Sequence, residues 1–309
     1  MLAVLVIVIL VVMLARTVAG HMQARGIQSG FDFLLGSAGF DIGESLIPFD
    51  SLQPYWMAYL VGLTNTLRVA ILGIVLASIL GTLIGIGRLS KSILLRGVCS
   101  VYVEFFRNIP LLLQLLVWYL LFTELLPDSQ TPWHTGPFFL SKGGLSFPIS
   151  TWGAGLGWDM PVLGEFAVEH GGSLTPEFLA LLVGLSTYTA AFIAEVVRSG
   201  LQSVALGQAE AAHALGLSRS QTLRKVLLPQ ALRVIIPPMT SQYLNLTKNS
   251  SLAVAIGYPD VVSIANTAIN QTGRAVECIA LVMLVYLSTS LITSWLMARY
   301  EARIALQER

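Results

Sequence analysis

The chain has 309 residues, of which 55% are hydrophobic and only 11% are charged, and its net charge is +1. An ordinary soluble domain carries about 25% charged residues, so this composition excludes a water-soluble globular protein and predicts an integral membrane protein. The near-neutral charge and the absence of a basic run argue against nucleic-acid binding. The two cysteines lie far apart and the four histidines are scattered, which argues against a disulfide framework or a metal site.

The first apolar stretch covers residues 1–19 and is interrupted by Arg16. It is close to the roughly 20 apolar residues that a transmembrane helix needs. A signal peptide is the alternative, but that would show a basic start, a shorter apolar core and a small-residue cleavage site. We therefore predict an N-terminal transmembrane helix, and the abrupt start indicates a trimmed or unusual N-terminus. The more polar residues 20–57 are expected to form an irregular extramembrane segment.

Five more apolar spans follow this segment. They cover residues 58–87, 97–126, 177–197, 234–256 and 277–297. Small residues recur at four-residue intervals along the first of them, which predicts close packing against another helix. These residues are Gly73, Ala77, Gly81 and Gly85. The core helices thus fall within 58–126 and 177–298, and a charged tail follows at 299–309.

Residues 127–176 are rich in glycine, proline and tryptophan and contain no stretch long enough to span a membrane. A loop of this length is usually functional or disordered. Because it holds many aromatic residues, we expect an ordered cap.

Basic residues collect in one set of loops between the spans, which contains Arg88, Lys91, Arg96, Arg198, Arg219, Arg224, Lys225, Arg233, Arg299, Arg303 and Arg309. The opposite set contains Arg25, Lys142 and Arg274. Cytoplasmic loops carry the excess of basic residues. We therefore expect the first set and both chain ends to be cytoplasmic and residues 20–57 and 127–176 to face outward, with Arg16 as a mild exception.

The charged stretch 210–229 carries signals for two short helices outside the lipid. Small residues at Ala205, Ala209, Ala212 and Gly216 lie on one helical face. Gly216 is a natural helix stop.

Ser218 and Gln221 have the spacing of a capping box for a second helix, which Pro229 is expected to end or to bend into the next span. An ordinary amphipathic loop on the membrane surface is the alternative interpretation.

The spacing of Glu210-Ala211-Ala212, Gly216 and Leu228-Pro229 resembles the cytoplasmic EAA loop of membrane subunits of ABC importers. Four further stretches resemble polar amino-acid importer permeases of the histidine/glutamate/arginine branch, namely Thr66-Leu67 with Gly81 to Ser90, Glu104 to Gln114, Asn245 to Leu252, and Ile256-Gly257. The resemblance runs from Tyr59 to the C-terminus apart from the insert at 127–176.

This resemblance implies an all-α type I ABC importer transmembrane domain with a five-helix core. The extra N-terminal helix and the large periplasmic insert resemble the general L-amino-acid permease subgroup, whose two unequal permease subunits form a heterodimer. Within it, the chain is similar to the smaller subunit. It would reside in the bacterial inner membrane, in contact with lipid, beside an L-amino-acid-binding protein in the periplasm.

The resemblance also implies that a pair of ATP-binding subunits docks on the loop 200–232. The chain has no Gly-x4-Gly-Lys-Ser/Thr sequence. We therefore expect a non-catalytic subunit that binds no cofactor, with ATP and Mg²⁺ held by the partner. The small face at Ala209, Ala212 and Gly216 would fit a groove of that partner. The expected coupling residues are Glu210, Ala211, Ala212, Gly216, Leu228 and Pro229.

Polar side chains within the spans are candidates for the substrate path or a gate. They are Glu104, Arg107, Asn108, Gln114, Asn245, Lys248, Ser250 and Ser251. Ionisable residues inside a membrane are functional candidates by default. Glu104 and Arg107, three residues apart, are more simply explained as a pair on one helix face. The others could equally bond neighbouring helices.

Two other functions remain open at this point. A stand-alone secondary transporter or channel would explain the polar residues in the spans but not the EAA spacing, and no convincing inverted repeat is present. A non-transporting membrane scaffold would use residues 127–176 as a docking domain.

Overall fold

The structure is a computed structural model that describes residues 29–151 and 157–305, together with a few single positions among the first 28 residues. The N-terminal transmembrane helix expected over 1–19 lies outside these two continuous ranges.

Helices make up most of the described chain. They are α1 (Tyr55–Gly87), α2 (Ile93–Asn108), α3 (Leu111–Leu120), α4 (Pro176–Gln202), α5 (Leu206–Ala214), α6 (Arg219–Thr222), α7 (Leu228–Asn249), α8 (Val261–Thr272) and α9 (Ala275–Ala305). Three of them, α1, α4 and α9, are long and apolar enough to cross a membrane. The number of spans rises to five if each of two bent helix pairs forms one span.

The segment predicted as a span over 97–126 is broken near its middle. It consists of α2 and α3, which meet at an angle of 105°. Pro110 lacks an amide hydrogen and disfavours a helical conformation of the residue before it. Ile109 is accordingly extended, with φ −102° and ψ 131°. The π-helical turn Leu121–Leu125 ends this segment.

The span predicted over 234–256 is α7 and the 3-10 turn Ser250–Ile256 that follows it. Gly257, with φ +78°, ends that turn. The short helix α8 was not predicted. It begins after Asp260, whose carboxylate accepts a hydrogen bond from the Ser263 amide at 2.8 Å.

The described chain divides into two compact units. The first comprises Met1–Asn65 and Pro259–Leu287. In it, Arg274 holds Asp32 with two hydrogen bonds of 2.9 and 3.1 Å and also donates to the Gly30 carbonyl at 2.7 Å. The irregular residues before α1 are thereby tied to the start of α9.

The second unit comprises Thr66–Tyr258 and Ser288–Arg309. Its core is formed by side chains of α1, α3, α4 and α7. The small-residue ridge of α1 packs closely, as predicted. A Cβ atom on Gly81 would lie 2.7 Å from Cβ of Ile193, and one on Gly85 would lie 2.7 Å from the carbonyl oxygen of Ala194.

The described residues of the insert at 127–176 form short strands before α4 begins. These are β1 (Trp133–Thr135), β2 (Phe138–Ser141), β3 (Gly144–Phe147), β4 (Ile149–Thr151), β5 (Gly157–Asp159), β6 (Val162–Leu163), β7 (Val168–Glu169) and β8 (Gly172–Leu174). Four of them form an antiparallel sheet in the order β1-β2-β3-β8, and β4-β5 and β6-β7 form separate hairpins. The insert therefore adds a β region to an otherwise helical chain.

Candidate functional site

The stretch 210–229 contains the predicted sharp turn after α5. Gly216 adopts φ +79°, a left-handed conformation that glycine takes without strain. Its amide donates to the His213 carbonyl at 2.9 Å, and the Leu217 amide donates to the Ala212 carbonyl at 3.1 Å. This is the Schellman pattern of hydrogen bonds that ends a helix. The turn therefore has one defined geometry.

The predicted capping box opens α6. The Gln221 amide donates to Oγ of Ser218 at 3.4 Å, and the Ser218 amide donates to Oε1 of Gln221 at 2.9 Å. These reciprocal bonds satisfy two amides that a helix start leaves unpaired.

Pro229 does not end the second helix, contrary to one of the two outcomes expected. The chain passes from α6 through a π-helical turn at Leu223–Leu227 directly into α7, and Pro229 lies in the first turn of α7. The Leu228 amide bonds to the carbonyl of Leu223, five residues back. A proline ring within a helix crowds the carbonyl four residues earlier. The wider π-helical turn leaves room for the ring of Pro229.

Among the small residues Ala205, Ala209, Ala212 and Gly216, Ala212 is the buried one. Ala212 is only 3% exposed, and α5 packs against α6 and the π-helical turn. Ala212 therefore contacts the chain itself, whereas Gly216 is exposed at the turn, and the expected fit of this face into a partner's groove stays a prediction.

The outward surface of the same turn carries three of the coupling candidates, whereas Leu228 and Pro229 lie in the first turn of α7. Glu210, Ala211 and Gly216 are exposed, and among the described residues Glu210 has no ionic or hydrogen-bonding partner. Leu206 and Leu215 are each 83% exposed. We call these five residues the outer turn surface. Leucines this exposed next to an unpaired carboxylate are typical of a protein interaction site.

A charged cluster joins the ends of α1 and α4 and was not predicted as a site. Glu195 accepts hydrogen bonds from Arg88, just after α1, and from Nε of Arg198 at 3.3 Å. Arg198 also donates to Oε1 of Gln202 at 2.6 Å. The sequence held a signal for this cluster, since Arg88 and Glu195 fall at ends of predicted spans that face the same side.

The polar candidates of α2 and α3 separate into two kinds. Gln114 is 5% exposed, and its Nε2 donates to the carbonyls of Phe106 at 2.9 Å and Ile109 at 2.8 Å. These carbonyls lie at the break between the two helices, so Gln114 supports the bend. Asn108 lies on the exposed side, where its amide donates to Oε2 of Glu104 at 3.4 Å.

Glu104 and Arg107 have different partners and do not form the expected pair. The Arg107 guanidinium lies over the ring of Phe192, 5.3 Å from its centroid, whereas Glu104 faces Asn108. The aromatic face on α4 attracts the cation. Glu104 and Asn108 line a shallow groove of about 480 Å³ on α2.

The candidates at the end of α7 also differ among themselves. The hydroxyls of Ser250 and Ser251 donate to the carbonyls of Thr247 and Lys248, both at 2.8 Å. These serines therefore satisfy local backbone groups. Asn245 and Lys248 lie one turn apart on an exposed face, and neither has a hydrogen-bonding or ionic partner within the described part of the chain. The 3-10 turn that holds the serines packs against α3, the helix of Gln114.

The family model described as binding-protein-dependent transport system inner membrane component matches residues 71–306. The chain is 43% identical over 96% of its length to the general L-amino acid transport system permease protein AapQ of Rhizobium johnstonii, and it covers 88% of that protein. It is also 43% identical over its whole length to the putative amino-acid ABC transporter permease protein YhdX of Escherichia coli, of which it covers 93%.

A solved structure of an amino acid ABC transporter with histidines has a similar fold. It matches with a TM-score of 0.60 and 25% sequence identity, over 81% of this chain and 95% of that chain. The similarity therefore extends over nearly the whole transporter chain of known structure.

Proposed function

The chain belongs to the family of binding-protein-dependent transport system inner membrane components, and we propose that it is the permease subunit of an ATP-driven amino-acid importer. Its relatives are named as permeases for amino acids. The observation that carries the proposal is the outer turn surface, which a Schellman turn and a capping box hold in one geometry.

The energy for transport comes from a separate pair of ATP-binding subunits. The outer turn surface offers them apolar contact through Leu206 and Leu215 and one unpaired carboxylate at Glu210. ATP and Mg²⁺ are bound by those subunits and not by this chain. Since α6 leads through the π-helical turn directly into α7, a displacement of the Gly216 turn is passed to a helix of the core.

The transport path is shared with a second, longer permease subunit in a heterodimer. Asn245 and Lys248 support this, because exposed polar groups on a membrane-spanning helix require a polar surrounding. Donors and acceptors of this kind suit the two charged groups of an amino acid. Glu104 and Asn108 on α2 are the further candidates for this path.

The importer lies in a bacterial inner membrane with the outer turn surface in the cytoplasm. The distribution of basic residues supports this orientation. The insert then faces the periplasm, where its exposed aromatic residues Trp133, Trp158 and Phe166 suit contact with the amino-acid-binding protein.

The test is uptake of labelled L-amino acids into liposomes that contain the chain, a second permease, an ATPase and a binding protein encoded beside it. We expect uptake that requires ATP on the cytoplasmic face. We expect Glu210→Lys to abolish the coupling of ATP hydrolysis to uptake while the chain still enters the membrane. The control Glu165→Lys, on the insert, should still bind the ATPase subunits. Uptake without ATP and without a co-purifying ATPase would instead indicate a secondary transporter or channel.

A further inference from the structure

The four-stranded sheet of the insert has one apolar face and one largely polar face. Side chains alternate along a strand, and residues paired across two strands point to the same side, so the register assigns each residue to a face. We call one of them the apolar sheet face, which carries Trp133, Phe138, Leu140, Leu145, Phe147 and Leu174. The opposite face carries His134, Phe139, Ser141, Gly144, Ser146 and Ser173.

The inner end of the apolar sheet face is turned towards the membrane helices. Leu174 packs against the core of the second unit, and β3 packs against α4. Leu174 pairs with Leu145, and this row of the register continues through Leu140 to Trp133 on the edge strand β1. Adjacent strands rotate by roughly 20–25°, so the face turns by less than a right angle across the sheet. Its outer end therefore still points to the side of the membrane helices.

The outer end of the same face is uncovered. Trp133 is 62% exposed and Phe138 is 51% exposed, so no part of the described chain covers them. Neighbouring strands lie about 4.8 Å apart, which places β1 roughly 14 Å from β8. A helix with its side chains has a radius of only about 5–6 Å. The edge strand therefore extends beyond α4, the helix into which β8 leads.

The sheet lies at the level of the membrane surface. The strand β8 ends at Leu174, Thr175 caps the next helix, and α4 begins at Pro176. The 27 residues of α4 are about 40 Å long. This length matches the roughly 40–45 Å of a bilayer with its headgroups. The beginning of α4, and β8 with it, is thus at headgroup level.

We propose that the apolar sheet face lies on the outer leaflet of the bilayer, with Trp133 and Phe138 at the boundary between headgroups and acyl chains. Tryptophan is enriched at this boundary because its ring is apolar and its indole N–H is polar. The face carries no charged side chain that would lose its hydration there. The free backbone groups of the edge strand β1 stay within reach of interfacial water, which the hydrocarbon core would not offer.

A protein partner fits this face less well than lipid. Protein interfaces contain about one hydrogen bond per 100–200 Å², whereas the indole of Trp133 and the hydroxyl of Thr135 are the side-chain hydrogen-bonding groups of this face. A binding protein arrives from the water side and meets the other surfaces of the insert. The inference rests on the proposed function for the choice of leaflet, and it assigns Trp133 to lipid while Trp158 and Phe166 remain for the binding protein.

The test uses electron paramagnetic resonance of a nitroxide attached to the complete transporter in liposomes. Collisions of the nitroxide with oxygen report lipid, and collisions with a water-soluble nickel chelate report water. The label is attached in Trp133→Cys, Phe138→Cys or His134→Cys. The native Cys99 and Cys278 are buried, and the unsubstituted complex treated with the label is the blank.

His134→Cys is the matched control, because position 134 is exposed on the same strand but on the opposite face. We expect the ratio of oxygen to nickel collisions to be severalfold higher at positions 133 and 138 than at position 134. Frequent nickel collisions at 133 and 138 would place the face in water and overturn the proposal. Rare collisions with both reagents would mean that a second permease covers the face, which overturns it equally.

The binding protein provides a further discrimination. Its addition should leave the collision rates at positions 133 and 138 unchanged. A fall in both rates there would assign this face to the binding protein and overturn the lipid contact. If Trp133→Cys does not assemble, the comparison of Phe138→Cys with His134→Cys decides the question.

The two proposals fail in different ways. A lipid-exposed label at positions 133 and 138 in a complex without ATP-driven uptake contradicts the importer function alone. ATP-driven uptake by a complex whose labels at these positions are exposed to water contradicts the lipid contact alone.

Discussion

Leu217 donates its amide hydrogen to the carbonyl oxygen of Ala212 at 3.1 Å, across the left-handed Gly216. The bond joins the end of α5 to the residue just before Ser218, the N-cap of α6. The directions of both helices therefore depend on a single backbone conformation. Leu206, Glu210 and Leu215 keep their outward positions only while this turn holds.

The first prediction concerns Gly216 itself. An ordinary side chain in the left-handed conformation costs about 1–2 kcal/mol, whereas asparagine tolerates it better. We expect ATP-driven uptake to fall in the order Gly, Asn, Ala, Val at this position, with membrane insertion unchanged. Gly207→Ala is the control, because a Cβ atom there meets nothing within 4 Å. Full uptake by Gly216→Val would contradict the role of the turn.

The second prediction separates Gln114 from Asn108. Gln114→Leu leaves the carbonyls of Phe106 and Ile109 without their donor at the bend, which should destabilise the chain by about 1–3 kcal/mol. Asn108→Leu removes one long, exposed hydrogen bond and should change stability by less than about 0.5 kcal/mol while lowering uptake. Thermal unfolding in detergent and uptake in liposomes measure the two effects. The opposite pattern would assign the structural role to Asn108.

Local rules predicted the parts of this chain that depend on local chemistry. Gly216, Ser218 and Gln221 specify a turn and a capping box by residue type and spacing, and both are present in the structure. The 105° bend was missed because apolar composition alone does not show in which direction the helix after Pro110 continues. Periodicity identified the small residues of α5 but could not show that Ala212 is the one buried within this chain.

Contacts between residues that are far apart in sequence could not be predicted from the sequence either. Arg107 faces Phe192, which is 85 positions away, because α2 packs against α4. Spacing along one helix indicated Glu104 as its neighbour instead. The strands of the insert were missed because each is only two to four residues long, too short for an alternating pattern to stand out.

The third prediction concerns the close contact between α1 and α4. Gly81→Ala places a Cβ atom 2.7 Å from Cβ of Ile193 and 2.8 Å from the Ala190 carbonyl, so the helices must separate. Overpacking of this kind costs about 1–3 kcal/mol. Gly97→Ala in α2 meets nothing within 4 Å and should instead gain up to about 1 kcal/mol from helix propensity. The midpoint temperatures of thermal unfolding of the two variants should shift in opposite directions. A higher midpoint for both variants would exclude the tight contact between α1 and α4.

The fourth prediction concerns pH and the first unit. The hydrogen bonds from Arg274 hold the pKa of Asp32 below its usual value of 3.8. The folded chain therefore releases this proton more readily than the unfolded chain. The stabilisation is complete above the unfolded pKa and is lost as the pH falls through the lower, folded pKa.

Asp32→Asn removes the titrating group but keeps a side chain of the same size. We expect wild type to lose more thermal stability than Asp32→Asn when the pH is lowered from neutral into this acidic range. Asp41→Asn, at an exposed carboxylate of the same segment, should behave like wild type. Identical pH profiles for wild type and Asp32→Asn would show that the pair with Arg274 contributes nothing to folding.

The most direct measurement of the central claim is photo-crosslinking from a benzoylphenylalanine placed at Ala211 in the reconstituted importer. Ala211 lies on the outer turn surface, whereas Trp158 on the insert provides an equally exposed control position. We expect crosslinks to the ATP-binding subunit from position 211, none from position 158, and a loss of ATP-driven amino-acid uptake after illumination of the first. ATP-driven uptake that continues while position 211 yields no crosslink to that subunit would contradict coupling through this surface.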